Sequence, residues 1–258
     1  MLMQRLLYAM LLLAPLSLSA EVLELRYQDF TIWLNTDKRS AINFHYHLDR
    51  DVGNVKRDSR FYLDPELDRS YQQTEIASGG HSEFGRPLTI TYNKNSNLDH
   101  FDRGHLVPFN HMDHSLISSH QTNYMTNVLP QAANMNQGAW RRTEEITECY
   151  RDYSSLDVIG GAIWGKQSEY LEIHSIYTPI AFWKVIIRQD DAIAWIIPNK
   201  NEAVGVSDLD KYLISIDTLE KRAGVVVPVD PKWKRDIADA SSWDTTHCDK
   251  HSPKDWRS

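Results

Sequence analysis

The chain has 258 residues, 41% of them hydrophobic, which is enough to bury a substantial core in one large domain or two small ones. Its formal charge of −7 argues against a passive polyanion-binding module, which would need a basic face to neutralise phosphates along its footprint. The same charge does not exclude an enzyme in which one cation and a few arginines manage a single phosphate.

Residues 1–20 set Arg5 before an apolar run from Leu6 to Leu16 and close on small residues at Ala20, the layout of a secretory signal peptide with cleavage expected after Ala20. A membrane anchor is the competing reading. The run is shorter than the about 20 residues a span needs, and Pro15 interrupts it. No cysteine adjoins the cleavage site, which argues against lipid anchoring. Cleavage would remove only Arg5 among charged residues, moving the formal charge from −7 to −8. The mature protein is therefore expected to be periplasmic or secreted, with no stable membrane association. In that compartment Cys149 and Cys248 are expected to form one bridge tying the C-terminal tail to the body, with two free thiols as the alternative.

Further along, loose alternation predicts strands over residues 22–35 and over Ala41 to Leu48, with Asp37 to Ser40 as the turn between them. A polar segment from Asp49 to Arg60 precedes Phe61 to Pro65. Ala77 to Pro87 reads as loop and Leu88 to Tyr92 as a strand, so this middle region offers loops for a substrate groove. Residue types from Gln131 to about Arg151 predict one helix with Asn134 as a candidate cap, in which Gly138 costs stability and signals close packing. Leu156 to Trp164, Ile180 to Ile187 and Ala192 to Pro198 read as central strands. Ser207 is a candidate cap for a helix carrying Leu209, Tyr212, Leu213, Ile216 and Leu219 and ending before Gly224. After Val229 the tail is polar, with Trp233, Trp243 and Trp256 spread through it. Strand pairs interspersed with isolated helices predict an α+β domain.

The chemistry is concentrated in Asp102-Arg103-Gly104-His105, followed by Thr126-Asn127-Val128-Leu129-Pro130-Gln131, Asn136-Gln137-Gly138-Ala139-Trp140 and Glu144. In order and spacing this set resembles the DNA/RNA non-specific endonuclease family of the ββα-metal (His-Me finger) superfamily, over roughly Phe44 to Gly224 and with falling strength away from the motifs. The resemblance implies a central, mostly antiparallel sheet flanked by helices, in a single domain over residues 21–258 with a core at about 44–224 and a tail at 225–258.

Hydrolysing a phosphodiester requires a deprotonated water, a counter-charge for the phosphate and help for the departing oxygen. An imidazole titrating near neutrality suits the first task, and the resemblance assigns His105 as general base. Asn136 offers a hard amide oxygen suited to Mg²⁺, which keeps most of its waters, with Mn²⁺ or another divalent cation as alternatives. Glu144 lies eight residues on, a little over two helical turns, and the family's spacing selects it over Glu145 to hold the metal's water shell. Arg103 can fork onto phosphate oxygens, while Asp102 is placed to orient the loop or a nearby backbone amide. Asn127 matches a family asparagine beside the active site, and a purely structural role is equally open. The family also places an upstream arginine on phosphate, a position that Arg57, Arg60 or both can fill. Thr126 stands where the family usually has serine, a mild departure.

Asn110-His111-Met112-Asp113-His114 and His120 invite a zinc reading, but they lack a helix-based ligand spacing and read instead as polar groove or surface residues. The resulting expectation is an exported, metal-dependent hydrolase acting on DNA and RNA with little sequence preference. A phosphodiesterase for smaller phosphate esters and a non-catalytic exported binding protein are the rivals, and the sequence leaves a homodimer open.

Overall fold

The computed structural model describes residues 20–73, 101–165, 169–171, 176–202 and 204–248. The signal-peptide reading, the 77–87 loop, the 88–92 strand and Trp256 lie outside these residues, apart from Ala20. Six antiparallel strands form the main sheet: β1 (Val22–Arg26), β2 (Phe30–Asn35), β3 (Ser40–Leu48), β6 (Leu156–Ile163), β9 (Ala181–Arg188) and β10 (Asp191–Pro198), in that spatial order. Between β3 and β6 the chain leaves the sheet to build a separate layer. That layer holds β4 (Phe101–His105), α1 (Leu116–Thr122), β5 (Val128–Ala132), α2 (Ala133–Met135), a π turn (Asn136–Trp140) and α3 (Arg141–Arg151). Beyond β6 stand the short antiparallel pair β7 (Glu169–Leu171) and β8 (Ile176–Thr178), and α4 (Ile216–Ala223) follows β10.

Strand alternation divides the core in two, as a pleated sheet must. Ile32, Phe44, Tyr46, Val158, Phe182 and Ile186 face the β4–α3 layer and meet Leu106, Met135, Trp140 and Ile146 there. Trp183, Val185, Ala192 and Ala194 point the other way and are covered by Ile216 and Leu219 of α4. The architecture is α+β with a mostly antiparallel sheet, as expected.

Two helices differ from the sequence reading. The one expected from Gln131 to Arg151 begins only at Ala133, because Gln131 and Ala132 are taken by β5, which pairs antiparallel with β4. It is broken again at Gly138, whose φ/ψ of −110°/−106° are non-helical. A Cβ at Gly138 would lie 2.4 Å from the carbonyl oxygen of Val204, so the close packing inferred for this glycine is real. Asn134 is not a cap: Ala132 occupies that position, and the Asn134 amide donates instead to the carbonyl of Asn201 at 3.0 Å. The second expected helix is also two pieces. Residues Val206–Tyr212 form a 3₁₀ segment opened by Gly205, not Ser207. Leu213 and Ile214 then run beside β10, with the Ile214 N–H bonded to Ala194 O, so α4 has to start afresh with Ser215 as its cap.

Cys149 on α3 and Cys248 in the tail are joined, with Cα atoms 5.6 Å apart and a separation of 99 positions in sequence. Among the described residues, no helix is long and apolar enough to cross a membrane.

Candidate active site

β4 and β5 form a two-stranded ribbon in which Asp102 lies opposite Gln131 and His105 opposite Val128. Gly104 is dictated by this pairing, since a Cβ there would fall 2.1 Å from the Gln131 side chain. Alternation along β4 points Asp102 and His105 differently, and each meets a different neighbour.

Asp102 reaches the π turn. Its Oδ2 accepts from Asn136 Nδ2 at 3.0 Å and from Gln137 Nε2 at 2.8 Å, so the acid orients these two side chains. The bond to Asn136 uses the amide nitrogen and leaves the amide oxygen as the group to offer a cation. His105 is buried, and its Nε2 lies 3.0 Å from Asn123 Oδ1. The Asn123 amide cannot be flipped without loss, because its Nδ2 donates to Asp58 O at 3.0 Å. An amide oxygen can only accept, so Nε2 carries the hydrogen and Nδ1 keeps the lone pair. Burial, then the charge of Arg57, then that of Arg103 hold the His105 pKa down at about 4, against the opposing bond from Asn123. The ring is therefore neutral at neutral pH.

The backbone behind His105 is also held. Trp140 Nε1 donates to His105 O at 3.2 Å, and Leu106 N–H donates to Asn127 O at 3.0 Å. Asn127 is fully buried, with its amide engaged by Val107 N and O at 2.9 Å and by Thr122 O at 2.8 Å. Its side chain secures the loop leaving β4 and faces backbone throughout.

The arginines separate. Arg57 is exposed as a residue, yet loss of water around its guanidinium lowers its pKa, opposed by the charge of Glu144. Its charge acts on His105, and the charge of Glu144 acts on it, so the three are electrostatically linked. Arg60 is exposed and forks onto Asp58 at 2.9 Å, with its guanidinium 5.7 Å from the Tyr62 ring centre. Arg103 lies over Phe61, 4.3 Å from the ring centre, and Phe61 packs against the imidazole of His105 at 5.2 Å.

The two neighbouring glutamates separate as well. Glu144, in the first turn of α3, is 5% exposed and acts on Arg57 and on buried Lys184. Glu145 pairs with Arg141 at 3.4 Å and with Arg142 at 3.1 Å nearer the surface. An amide oxygen and a carboxylate are hard oxygen donors, the set that suits a mostly hydrated Mg²⁺. Among the described residues, the group of His, Cys, Asp and Glu that converges tightly enough to cage an ion is Cys149, His247 and Cys248, where both thiols are spent in the disulfide.

The histidine segment departs from expectation. His111 is fully buried, not at the surface: its Nδ1 lies 2.9 Å from Tyr46 OH and its Nε2 3.1 Å from Glu148 Oε1. Asn110 donates to the same glutamate at 3.1 Å, and Asp113 is buried nearby. These residues form part of a polar knot under α3. His114, paired with Asp29 at 3.0 Å, and His120, against Tyr62 and Tyr124, are the surface members. Asn123 and Lys184 carried no motif, and their positions emerge only from the fold.

Comparison with known proteins gives the family of the chain. A family model described as DNA/RNA non-specific endonuclease matches residues 14–235. The chain is 25% identical over 209 residues to the nuclease of Serratia marcescens, covering 77% of this chain and 72% of that protein. It is 27% identical over 157 residues to human mitochondrial endonuclease G, spanning about half of each, at 52%. Human mitochondrial nuclease EXOG is 26% identical over 163 residues, covering 54% of this chain and 43% of its own length. In structure, the crystal structure of the EndoG/EndoGI complex matches with a TM-score of 0.62 at 16% identity, covering 81% of this chain and 88% of that one, a likeness of fold. The chain therefore belongs to the DNA/RNA non-specific endonuclease family.

Proposed function

We propose that the protein is an exported, Mg²⁺-dependent endonuclease that hydrolyses phosphodiester bonds of DNA and RNA with little sequence specificity. The observation that carries this reading is His105, held through Nε2 by Asn123 so that a neutral Nδ1 is free to take a proton from water. Asn136, steadied by Asp102, and Glu144 are the residues to hold a hydrated divalent cation. When bound, that cation offsets phosphate charge and stabilises the leaving oxygen. Arg57 and Arg103, both close enough to depress His105, supply positive charge for the phosphate oxygens. Arg60, engaged by Asp58, has a lesser part. Asn127 acts by holding the loop that follows His105. Because these contacts address phosphate and not base edges, both DNA and RNA are expected as substrates. The signal-like N-terminus and the Cys149–Cys248 bridge support export to the periplasm or beyond.

The test is digestion of plasmid DNA and total RNA by the purified protein, with Mg²⁺ or with chelator, beside His105→Ala. Chelator-sensitive degradation of both polymers that disappears in the variant is the expected result. No cleavage by the wild type with any of several divalent metals would overturn the proposal.

A further inference from the structure

Lys184 sits in the middle of β9, a central strand, with no exposed surface. Alternation puts it on the face of the sheet beneath α3, among Phe182, Ile186 and Trp140. A buried ammonium is costly, and an apolar chain of similar length would fill this space at no desolvation cost. Burial lowers the pKa of Lys184 to about 8, against the opposing pull of Glu144.

The hydrogen bond and the ring contact of its ammonium lie on one short stretch of chain. Nζ is 2.8 Å from Thr143 Oγ1 and 3.7 Å from the centre of the Trp140 ring. Thr143 Oγ1 in turn donates to Trp140 O at 2.6 Å, which closes the turn. That turn joins the kinked π segment carrying Asn136 to the helical turn carrying Glu144. Trp140 also donates to the carbonyl of His105.

We propose that Lys184 is a positioning residue for the cation site. It clamps Trp140 to Thr143 so that Asn136, before the Gly138 kink, and Glu144, after it, keep one spacing, and so that Trp140 stays under His105. The inference rests on the reading of Asn136 and Glu144 as the residues that hold the cation. A merely structural lysine and a positioning lysine differ in what its removal does: the first costs stability, the second costs metal affinity.

The test uses Lys184→Met, which keeps the length and removes the charge, and Thr143→Val, which keeps the shape and removes the hydroxyl. Thermal unfolding is measured together with Mn²⁺ binding by calorimetry or electron paramagnetic resonance, and with kcat and KM at fixed Mg²⁺. Lys184→Met, measured well below its melting temperature, is expected to bind Mn²⁺ about tenfold or more weakly. Its kcat at limiting Mg²⁺ falls while KM for nucleic acid stays unchanged. Thr143→Val moves affinity the same way by less, and the double variant is no worse than Lys184→Met, because both remove one clamp. Unchanged Mn²⁺ affinity in Lys184→Met overturns the proposal, as does a Lys184→Met that fails to fold beside a Thr143→Val that binds Mn²⁺ normally. A wild type that binds no divalent cation removes the reading of Asn136 and Glu144 and this inference with it.

Discussion

Replacing Asn123 by aspartate keeps the shape of the partner of His105 and adds a charge. At the observed separation of 3.0 Å, a carboxylate and an imidazolium attract by about 5 kcal/mol at an effective dielectric of about 20. That bounds the rise in the His105 pKa at about four units, and opposite charges at such range generally move a pKa by about 1–3. The base acts in its neutral form, so a higher pKa means that protonation silences it at a higher pH. The acid limb of kcat/KM is expected at about pH 4 in the wild type and at about pH 5–7 in the variant. Stability moves with it. In the wild type the folded pKa lies below the 6.5 of a free imidazole, so stability is complete above pH 6.5 and falls as the pH drops toward 4, by about 3 kcal/mol in all. In Asn123→Asp that acid loss shrinks, while the lost bond from Asn123 Nδ2 to Asp58 O costs about 1–3 kcal/mol near neutral pH. The assay is initial-rate cleavage of a fluorogenic oligonucleotide from pH 4 to 9 at saturating Mg²⁺, beside urea denaturation at pH 5 and 7. An acid limb that stays in place or moves down would refute the assignment of His105 as the base.

Arg57→Ala should lower kcat/KM roughly 10–100-fold, the worth of about 1.5–3 kcal/mol of charged hydrogen bonding, and should raise the His105 pKa by removing a depressing charge. Arg60→Ala, measured in parallel, should stay within about threefold of wild type, because it gives up an exposed pair with Asp58. Gly138→Ala forces a Cβ toward Val204 O; a melting curve should report about 1–3 kcal/mol of lost stability, and a Mg²⁺ titration should show an increased metal requirement as Asn136 is displaced. Cys149→Ser opens a bridge spanning 99 residues and should cost about 2–5 kcal/mol in denaturant unfolding, with cleavage of nucleic acid retained while the protein remains folded.

Much of the site was legible because its residues lie close together in the chain. Asp102 to His105 is one strand, and Asn136 and Glu144 flank one turn of chain, so order and spacing were enough to point to them. The strands of the main sheet were legible for a similar reason: β-branched and aromatic alternation survives wherever one face is buried. The two helices were overextended because residue type does not reveal competition for backbone hydrogen bonds. Gln131 and Ala132 look helical until β4 arrives to pair with them, and Leu213 and Ile214 fit a helical stripe until β10 takes their backbone. His111 read as a groove or surface histidine for the same kind of reason, since nothing near it in sequence announces Glu148 or Tyr46.

Taken alone, the sequence determined the fold class and the resemblance to a family, since both are carried by local periodicity and by residue types at short spacing. Tertiary structure decided which of two arginines lies beside His105, which of two glutamates turns inward, which ring nitrogen is free, and that a lysine lies buried beneath the site. Each of these depends on partners far apart in the chain, such as Asn123 with Asp58 or Lys184 with Thr143. Burial and electrostatic coupling between such partners exist only once the chain has closed around them.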